Sequence, residues 1–544
     1  MKTQLRSRHQ VTTVVAALAY VTTAMILLHG LWSDPNGRYL YDSGQDQEQW
    51  QWFFDITAHQ VLTGQNPLFT GLLNHPDGVN LMANTTMLGL SIPLIPVTVL
   101  LGSGVTWAIA LTIGLAGTAF AWYWLFSRRI ASAPAAAIGG LFCGFAPAMI
   151  SHANAHPNFV VLAVIPCLLL PRPPGRRNAI VLGLLIAYQL FLGEEILLLA
   201  ATGLLVFALA HSWADPGRTA AFARRYATTI AGAGLLALVL VAGSLFWQFK
   251  GPQSYHSLVH GRAGNSLHAL TAFPTRSLFG DPEVAQQLAM NRTEENAFFG
   301  WPLIILILGL VFALRKQQLV RILGATTALI GWLSLTPGPW TLLAQLPLYE
   351  SVIESRFAMA CIPPIGALLA LGIDALRTKP LRWLGWTAIG AALLPIVPTP
   401  FVTVARQPVP AFFTDGSWRG YVRPGHTLVP APPPNSGEAR AMRWQAEAGF
   451  GFAIPEGYFV GPYGPDGGGA YGAQPRPTAT MMRQAANGEG CVIDPVQLDA
   501  DLRYWRADAV VLDHDRGELR ACLDELLGRS TFVGGVWVWT VARP

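Results

Sequence analysis

The sequence predicts a multi-pass α-helical membrane protein with a C-terminal α/β domain. Three observations support this fold class: 52% of the 544 residues are hydrophobic, only 12% are charged, and the mean hydropathy is +0.38. A soluble protein typically has about 25% charged residues. An ordinary soluble enzyme is therefore excluded. Disordered and fibrous chains are excluded as well, because Trp, Phe and Tyr occur along the whole chain.

The charged residues are unevenly distributed along the chain. Residues 401–544 contain 15 acidic and 13 basic residues, whereas residues 1–400 contain the other 16 acidic and 23 basic ones. We therefore predict a membrane body at 1–400 and an outer domain at 401–544. The arginines of the body lie in short loops between apolar runs, so the pI of about 9.0 reflects membrane topology and not nucleic-acid binding.

Eleven apolar runs come near the length of about 20 residues that crosses a bilayer. The first run is too long for a cleavable signal peptide. The run 88–102 has only 15 residues and contains two prolines, so we predict a re-entrant or interfacial segment there. The predicted spans are 11–32, 104–126, 134–150, 157–171, 178–193, 195–211, 226–248, 298–314, 319–335, 357–376 and 381–398.

The basic residues predict the orientation in the plasma membrane. With eleven spans, one side of the body holds 17 of its 23 basic residues and 2 of its 16 acidic ones. An excess of Lys and Arg marks the cytoplasmic side. The N-terminus is therefore predicted to be cytoplasmic and the outer domain extracytoplasmic. The two long outer loops, 33–103 and 249–297, exceed the usual loop length, which indicates functional segments.

The first outer loop contains a predicted amphipathic helix. From Gln47 onward, apolar residues follow helical spacing, with Trp50 and Trp52 as expected anchors in the membrane interface. Asp46 directly precedes this helix, a position suited to a general base that acts on a substrate at the lipid boundary. The same position also suits an N-cap, which stabilises a helix by about 1 kcal/mol. His59 is a candidate substrate-binding residue on the helix.

Two polar pairs with a spacing of four residues are further candidates. Asn80 and Asn84 could bind sugar hydroxyls, or could cap local structure. His152 and His156 have a spacing that binds metal on a helix, but Pro157 favours a new helix start, so the two need not share a face. Phosphate or hydroxyl binding and plain loop polarity are the alternatives for the histidines.

Acidic pairs adjoin apolar runs on the outer side. Glu194 and Glu195 separate two predicted spans, and Glu294 and Glu295 precede another. Ionisable residues at such positions are costly and are functional candidates by default. We include Glu194, Glu195 and Glu295 among the substrate-binding candidates.

Arg356 stands at the mouth of the span 357–376. A guanidinium group there suits bidentate phosphate binding. A salt bridge to Glu354 is the alternative.

The cysteines and short motifs exclude some chemistry. The sequence contains no C-x-x-C, P-loop, H-E-x-x-H or G-x-S-x-G motif, so nucleotide hydrolysis in the cytosol is not expected. Cys491 and Cys522 both lie in the outer domain, where a disulfide is permitted. Whether they pair is left open.

The outer domain is predicted to mix helices and strands after a linker. Its glycine-rich stretch favours a flexible loop, although its aromatic residues could stack on sugars. The predicted elements are a linker at 408–434, helices at 439–448 and 518–527, strands at 509–512 and 536–541, and the glycine-rich loop at 461–473.

Several of these segments together resemble actinobacterial GT-C-type membrane glycosyltransferases. The resemblance covers the membrane body and is weaker for the outer domain. Three segments of the first outer loop match, together with the His152/His156 loop, the outer acidic pairs and Arg356-Phe357. The loop segments that carry it are Gly44-Gln45-Asp46-Gln47, Gly64-Gln65-Asn66-Pro67 and Pro76-Asp77-Gly78-Val79-Asn80-Leu81.

The resemblance implies transfer of a sugar from a polyprenyl-phosphate carrier to an extracytoplasmic glycan or lipid acceptor, in contact with membrane lipids. It places the base on Asp46, with Asp42 in reserve, and implies inverting transfer. Arg356 would stabilise the leaving phosphate, with Arg262, Arg276 or a histidine as alternatives. No cofactor is required by any spacing, although the outer carboxylates would allow a divalent metal.

Some activities within this superfamily are not implied. The chain lacks the adjacent Asp-Glu pair of protein O-mannosyltransferases and the W-W-D motif of oligosaccharyltransferases. A lipid or oligosaccharide transporter is the main competing hypothesis, and a non-catalytic scaffold is the next. The absence of internal repeats and the position of the ionisable residues near the outer rim favour the transferase over the transporter.

Overall fold

The computed structural model describes residues 2–260, 263–380, 382–514 and 516–541. The chain forms two compact units, each assembled from three separate stretches. Unit 1 comprises residues 1–44, 107–241 and 259–404, and unit 2 comprises residues 45–106, 242–258 and 405–544.

Unit 1 is almost entirely helical. Its short strand Arg38–Leu40 pairs with Thr403–Ala405, which begins in the same unit. The α-helices that lie wholly or mostly in unit 1 are Lys2–Leu27, His29–Trp32, Ser103–Ser127, Ala133–Phe145, Pro147–His152, Val164–Leu168, Arg176–Leu192, Glu194–Ala214, Pro216–Lys250, Leu267–Thr271, Pro282–Leu288, Trp301–Ala313, Gln318–Leu333, Trp340–Leu343, Ile362–Leu376 and Arg382–Leu393.

Four helical segments in the described chain are long and apolar enough to cross a membrane. They are Ser103–Ser127, Glu194–Ala214, Pro216–Lys250 and Glu354–Leu376, the last of which begins with the 3-10 turns Glu354–Cys361. Five shorter apolar helical segments accompany them. The number of spans and their orientation therefore stay predictions.

The predicted spans 134–150 and 157–171 are not single helices. The run 134–150 is divided at Ala146, because Pro147 starts the new helix Pro147–His152. The run 157–171 contains only a 3-10 turn, Pro157–Phe159, and the short helix Val164–Leu168. Proline cannot donate a backbone hydrogen bond, so Pro147 and Pro157 each open a helical segment instead of continuing one.

Glycines allow the helices of unit 1 to pack closely. A Cβ on Gly139 of Ala133–Phe145 would lie 2.7 Å from the carbonyl oxygen of Gly366 in Ile362–Leu376. A Cβ on Gly140 would lie 2.8 Å from Tyr123 on the other side. Small residues at such contacts bring helix backbones together, which is how helices associate in an apolar environment.

Unit 2 combines helices with small sheets. The segment 88–102 forms two short helices, each too short to cross a bilayer. The α-helices are Asp46–Leu62, Leu88–Ser91, Ile95–Leu101, Ala411–Thr414, Arg440–Glu447, Pro477–Ala486, Pro495–Tyr504 and Gly517–Leu527, and the strands are Phe69–Thr70, Val79–Asn80, Thr427–Pro430, Val460–Tyr463, Gly468–Tyr471, Ala507–Leu512, Thr531–Val533 and Val536–Thr540.

A four-stranded sheet organises the C-terminal part of unit 2. Ala507–Leu512 pairs parallel with Thr427–Pro430 and antiparallel with Val536–Thr540, which also pairs with Thr531–Val533. The predicted strands at 509–512 and 536–541 and the predicted helices at 439–448 and 518–527 are present. The predicted linker 408–434 is wrong, because Thr427–Pro430 is a buried strand that packs in the core with Trp505 and Trp539.

The glycine-rich stretch forms an ordered hairpin. Val460–Tyr463 pairs antiparallel with Gly468–Tyr471, with Val460 opposite Tyr471. The predicted flexible loop is therefore wrong. Gly464 and Gly467 both have positive φ, at 69° and 63°, which permits the tight connection between the strands.

The predicted helix in the first outer loop is present as Asp46–Leu62, but the expected membrane anchors are wrong. Trp50 and Trp52 are only 4% and 1% exposed. The indole nitrogen of Trp52 donates to the side-chain oxygen of Gln445 at 3.0 Å. The apolar face of this helix is therefore buried against protein within unit 2.

Cys491 and Cys522 form a disulfide that closes a separation of 31 residues. We expect Cys491→Ser/Cys522→Ser to lower the free energy of unfolding by about 2–4 kcal/mol, because the bond restricts the unfolded chain. Denaturant unfolding of the purified protein in detergent measures this loss. Cys167→Ser, which removes a free thiol, is the control, and equal stability of the double variant and the parent would contradict the expectation.

Candidate functional site

A short loop before the helix Trp301–Ala313 supplies several ionisable side chains of unit 1. Asn291 fixes the loop, because its side-chain oxygen accepts hydrogen bonds from the backbone N–H and the hydroxyl of Thr293, at 2.9 and 2.8 Å. The residues that the loop contributes to two adjoining clusters are Arg292, Glu294, Glu295 and Asn296.

The first cluster is centred on Arg356, which is 8% exposed. Its Nη1 lies 2.7 Å from Glu195, its Nε lies 3.1 Å from Glu294, and its Nη2 also contacts Glu294. The guanidinium stands 4.5 Å above the ring of Phe159. The alternative of a salt bridge to Glu354 is not observed, since Glu354 contacts the hydroxyl of Thr336 instead.

The charge of Arg356 determines the state of its neighbours. Burial acts to raise the pKa of Glu294, but the guanidinium outweighs this and, with His152, holds that pKa well below its usual range. Burial and the positive charge of Arg356 lower the pKa of His152 to about 4, although Glu294 opposes them. His152 is therefore neutral and Glu294 ionised near neutral pH.

The two histidines form a directed hydrogen-bond chain. The helix Pro147–His152 ends before His156, as Pro157 indicated, but the turn brings their Nδ1 atoms to 3.0 Å. The Nε2 of His152 lies 2.7 Å from the side-chain oxygen of Asn296, which can only accept. His152 therefore donates from Nε2, and its Nδ1 accepts from His156.

His152, His156 and Glu294 could supply three ligand atoms to a cation, since these atoms lie within 4.8 Å of one another. The sequence spacing of the two histidines indicated such a site, but not its third member. The groups are already engaged, because Glu294 binds Arg356 and the lone pair on His152 Nδ1 accepts from His156. A guanidinium on the same carboxylate repels a divalent cation. A divalent metal stays possible at these three residues, and the sugar transfer proposed for this protein does not require one.

The second cluster holds Asp42 between two arginines. The side chain of Asp42 is 2% exposed. One oxygen accepts from the Nε of Arg276 at 2.8 Å, and the other accepts from Nη1 of Arg292 at 2.9 Å. Two guanidinium groups therefore share one carboxylate, and Arg292 remains 38% exposed.

Glu295 lies beside this arginine pair without neutralising it. Burial raises the pKa of Glu295 to about 7, against two hydrogen bonds from Thr275 that favour the ionised form. The negative charge of Asp42 contributes to the same rise. At neutral pH a large fraction of Glu295 is uncharged, so the cluster of Asp42, Arg276, Arg292 and Glu295 carries net positive charge.

In unit 2, Asp46 is the first residue of the helix Asp46–Leu62, and Gln45 occupies the N-cap position, where its side chain makes no capping hydrogen bond. The predicted capping role of Asp46 is therefore wrong. Its carboxylate accepts a hydrogen bond from the hydroxyl of Tyr458 instead. Burial and the charge of Asp46 both raise the pKa of Tyr458, so the phenol stays protonated and donates.

Asn80 and Asn84 have structural roles. Asn80 donates to the carbonyl of Trp247 at 3.0 Å and accepts from the N–H of Ala83. Asn84 bonds the N–H and carbonyl groups of Val460, at 2.7 and 2.9 Å. Backbone groups engage both amides, in agreement with a role in local structure, and their binding of sugar hydroxyls stays a prediction.

The remaining three candidates are His59, Glu194 and Arg262. His59 packs against the ring of Phe450, with centroids 4.9 Å apart. Glu194 is the first residue of the helix Glu194–Ala214. Arg262 lies outside the described residues.

Sequence reasoning missed Arg292, Asn296 and Thr275 as members of the clusters. A signal was present for the first two, because they flank the Glu294–Glu295 pair within two residues. No sequence signal indicated Thr275, because only the fold brings it into contact with Glu295.

Unit 1 thus has the features of a membrane protein whose apolar helices adjoin a largely buried site of arginines, carboxylates and histidines. No protein-family model and no curated protein matches the sequence. The likeness found is to solved structures, and at 12–14% identity it concerns the course of the chain and transfers no activity.

Three of those structures are of the oligosaccharyltransferase from Archaeoglobus fulgidus, which the first of them names AglB. The complex with an inhibitory peptide and a dolichol-phosphate has a TM-score of 0.47 and 14% identity, covering 94% of this chain and 70% of that one. The form tethered to an acceptor peptide has a TM-score of 0.47 and 12% identity, covering 98% and 74%. The complex with Zn and sulfate has a TM-score of 0.46 and 14% identity, covering 94% and 69%.

Proposed function

We propose that this protein is a membrane glycosyltransferase that moves a sugar from a polyprenyl-phosphate carrier to a hydroxyl of an extracytoplasmic glycan or lipid acceptor. The observation that carries the proposal is the arginine pair, Arg276 and Arg292, which shares the single carboxylate of Asp42. Two guanidinium groups whose positive charge is only partly balanced suit a phosphate, which guanidinium groups bind with directed hydrogen bonds.

The charge balance favours this pair over Arg356 as the proposed phosphate site. Arg356 faces two carboxylates, those of Glu294 and Glu195, so its charge is fully matched. Arg276 and Arg292 share one carboxylate, that of Asp42, and Arg292 remains accessible. In the transfer step the phosphate leaves with the electron pair of the bond to the sugar, and the two guanidinium groups stabilise its developing charge.

Asp46 is the proposed base. The acceptor oxygen attacks the anomeric carbon from the face opposite the leaving phosphate, which inverts the configuration, and the hydroxyl proton passes to a carboxylate. The carboxylate of Asp46 accepts from the phenol of Tyr458 and lies in the first outer loop, where the resemblance places the base. Both oxygens of Asp42 bind guanidinium groups, so Asp42 is the reserve and positions the arginines.

The extracytoplasmic location of the chemistry rests on two observations. The excess of basic residues in the short loops predicts that the opposite side faces outward. The disulfide Cys491–Cys522 suits an oxidising compartment.

The test is sugar transfer by the purified protein in lipid from a panel of labelled polyprenyl-phosphate sugars. We expect the parent to transfer sugar and Arg292→Gln to lose about 10²-fold in kcat/KM, the effect of removing one donor to a developing anion. Arg218→Gln, which removes a 78% exposed surface arginine, is the matched control. If the parent transfers sugar and Arg292→Gln transfers it equally well, this result would contradict the role of the arginine pair. No transfer with any donor would contradict the function, and flipping assays would then test the transporter.

Glu295 predicts a pH dependence of donor binding. Its pKa is about 7 in the folded protein against 4.5 for an ordinary glutamate, so ionisation near neutral pH adds a negative charge beside the arginine pair. We expect the KM for the donor to rise about tenfold from about pH 6 to about pH 8. Glu295→Gln keeps the uncharged form and should remove the rise, whereas Glu283→Gln should retain it. An identical profile in parent and Glu295→Gln would contradict the prediction.

The same pKa predicts a change in stability. In the folded state the raised pKa favours the protonated carboxyl, so this stabilisation is complete below about pH 4.5, where the unfolded chain is also protonated. It is lost as the pH rises through about 7. Glu295→Gln should therefore lessen the decline in thermal stability over this range.

A further inference from the structure

Unit 2 contains a cavity of about 430 Å³ to which no role has been assigned above. Its walls come from three distant parts of the sequence: the turn around His75, residue Gln253, and the stretch between Glu456 and Trp505. The volume lies within the range of about 300–1,000 Å³ typical of small-ligand sites.

The lining of the cavity presents hydrogen-bonding groups that the surrounding protein does not use. The Nδ1 of His75 lies 3.0 Å from the carbonyl oxygen of Gly71, which only accepts, so Nδ1 carries the proton. The other ring nitrogen, Nε2, is buried without a hydrogen-bond partner among the described residues. Gln497 donates its amide N–H to Asp501 at 3.0 Å, which leaves its carbonyl oxygen for a ligand.

An aromatic ring forms part of the wall. Tyr504 is 38% exposed, and its hydroxyl is fixed by the carboxylate of Asp77 at 2.7 and 2.8 Å. The guanidinium of Arg476 lies 4.0 Å from the centre of the same ring. Trp505 is 2% exposed and also lines the cavity. Rings held in this way offer apolar surface beside polar groups.

The chemistry of the lining selects the class of ligand. An apolar ligand would leave the imidazole and the amides unpaired, at a cost of about 1–3 kcal/mol for each group. An anion would meet the carboxylates of Asp77 and Glu456, and the arginines nearby are already paired, Arg476 with Asp501 and Arg483 with Glu456. A neutral ligand with many hydroxyl groups and apolar C–H faces satisfies both the polar groups and the rings.

The backbone around the cavity is held in an unusual conformation. Eight non-glycine residues in the described chain have positive φ, and three of them line this cavity: Asn74 at 54°, Gln253 at 55° and Glu456 at 55°. Asparagine adopts this region readily, but glutamine and glutamate do so at a cost of about 1–3 kcal/mol. Strain of this kind concentrates where side chains must be placed for a ligand.

We propose that this cavity binds a neutral saccharide, and that this saccharide belongs to the glycan acceptor of the transfer reaction. The second part rests on the proposed function, whereas the first part does not. The hydrogen-bond acceptors and amides of the cavity pair with hydroxyl groups of the sugar, and the Tyr504 ring packs on a C–H face of the sugar.

The test is binding of soluble neutral trisaccharides of glucose, galactose, mannose and arabinose to the full chain in lipid nanodiscs, by saturation-transfer NMR and calorimetry. We expect at least one to bind, and Ala473→Trp, which fills the cavity, to weaken its binding at least tenfold. Gln497→Leu removes the amide without filling the space and should weaken binding in the same direction. Glu489→Gln, an exposed change in the same unit, should bind as the parent does.

Three results would overturn the saccharide site. These are no binding of any trisaccharide, equal binding by the parent and by both cavity variants at unchanged thermal stability, or a preference for sugar phosphates over neutral sugars. The assay contains no lipid-linked donor, so it is independent of transfer. A protein that transfers sugar but binds no trisaccharide overturns only this site, and one that binds but never transfers overturns only the proposed function.

Discussion

Replacing Asp46 by asparagine is expected to lower kcat for sugar transfer by about 10²–10⁴-fold, the usual contribution of a general base. The amide keeps the size of the side chain and can still accept from Tyr458, but it cannot take a proton from the acceptor. The measurement is single-turnover transfer with saturating donor, which separates the chemical step from binding. Thermal unfolding of the variant should match that of the parent.

Two companion variants make this result specific. Asp499→Asn removes a 61% exposed carboxylate in the same unit and should leave transfer unchanged. Asp42→Asn releases the arginine pair, so we expect it to raise the KM for the donor. If Asp46→Asn retains transfer and Asp42→Asn loses kcat, the base is Asp42 and the assignment made here is wrong.

Replacing Arg356 by glutamine is expected to destabilise the protein by about 3–5 kcal/mol, the cost of removing one partner from a buried ion pair. The substitution leaves the carboxylates of Glu294 and Glu195 without their shared cation. Thermal unfolding in detergent, with helix content followed by circular dichroism, measures the loss. Adding Glu294→Gln removes one unpaired charge and should recover part of the stability.

The control for Arg356 is Arg377→Gln, which removes a 56% exposed arginine from a surface ion pair and should change stability by less than about 1 kcal/mol. Equal stability of Arg356→Gln and the parent would show that the two carboxylates do not depend on the guanidinium. A stable Arg356→Gln variant without transfer would instead give Arg356 a role in the reaction.

Several features could be predicted from local sequence because their causes are local. Runs of apolar residues predicted membrane-length helices such as Ser103–Ser127, and helical spacing predicted Asp46–Leu62. The acidic pair Glu294–Glu295 was recognised because charge beside an apolar run is costly wherever the chain then folds. Pro157 correctly indicated that the helix before it ends.

Other features were predicted wrongly because a partner distant in sequence decided them. Thr427–Pro430 is preceded by prolines and glycines typical of a linker, yet it is a strand because its backbone pairs with Ala507–Leu512. Trp50 and Trp52 have the pattern of membrane anchors, yet they are buried because other protein covers that face of the helix. Backbone pairing and burial depend on what lies alongside, which local composition does not contain.

The sequence alone predicted a membrane protein, most of its long helices, and the ionisable residues whose place beside apolar runs is energetically costly, since each follows from composition and spacing. Only the tertiary structure determined which of these polar side chains contact one another. It placed Arg356 between two carboxylates, left Arg276 and Arg292 to share one, and joined Asp46 to Tyr458. The charge of a site is a sum over neighbours that the fold brings together, so the function of each arginine depends on the carboxylates around it.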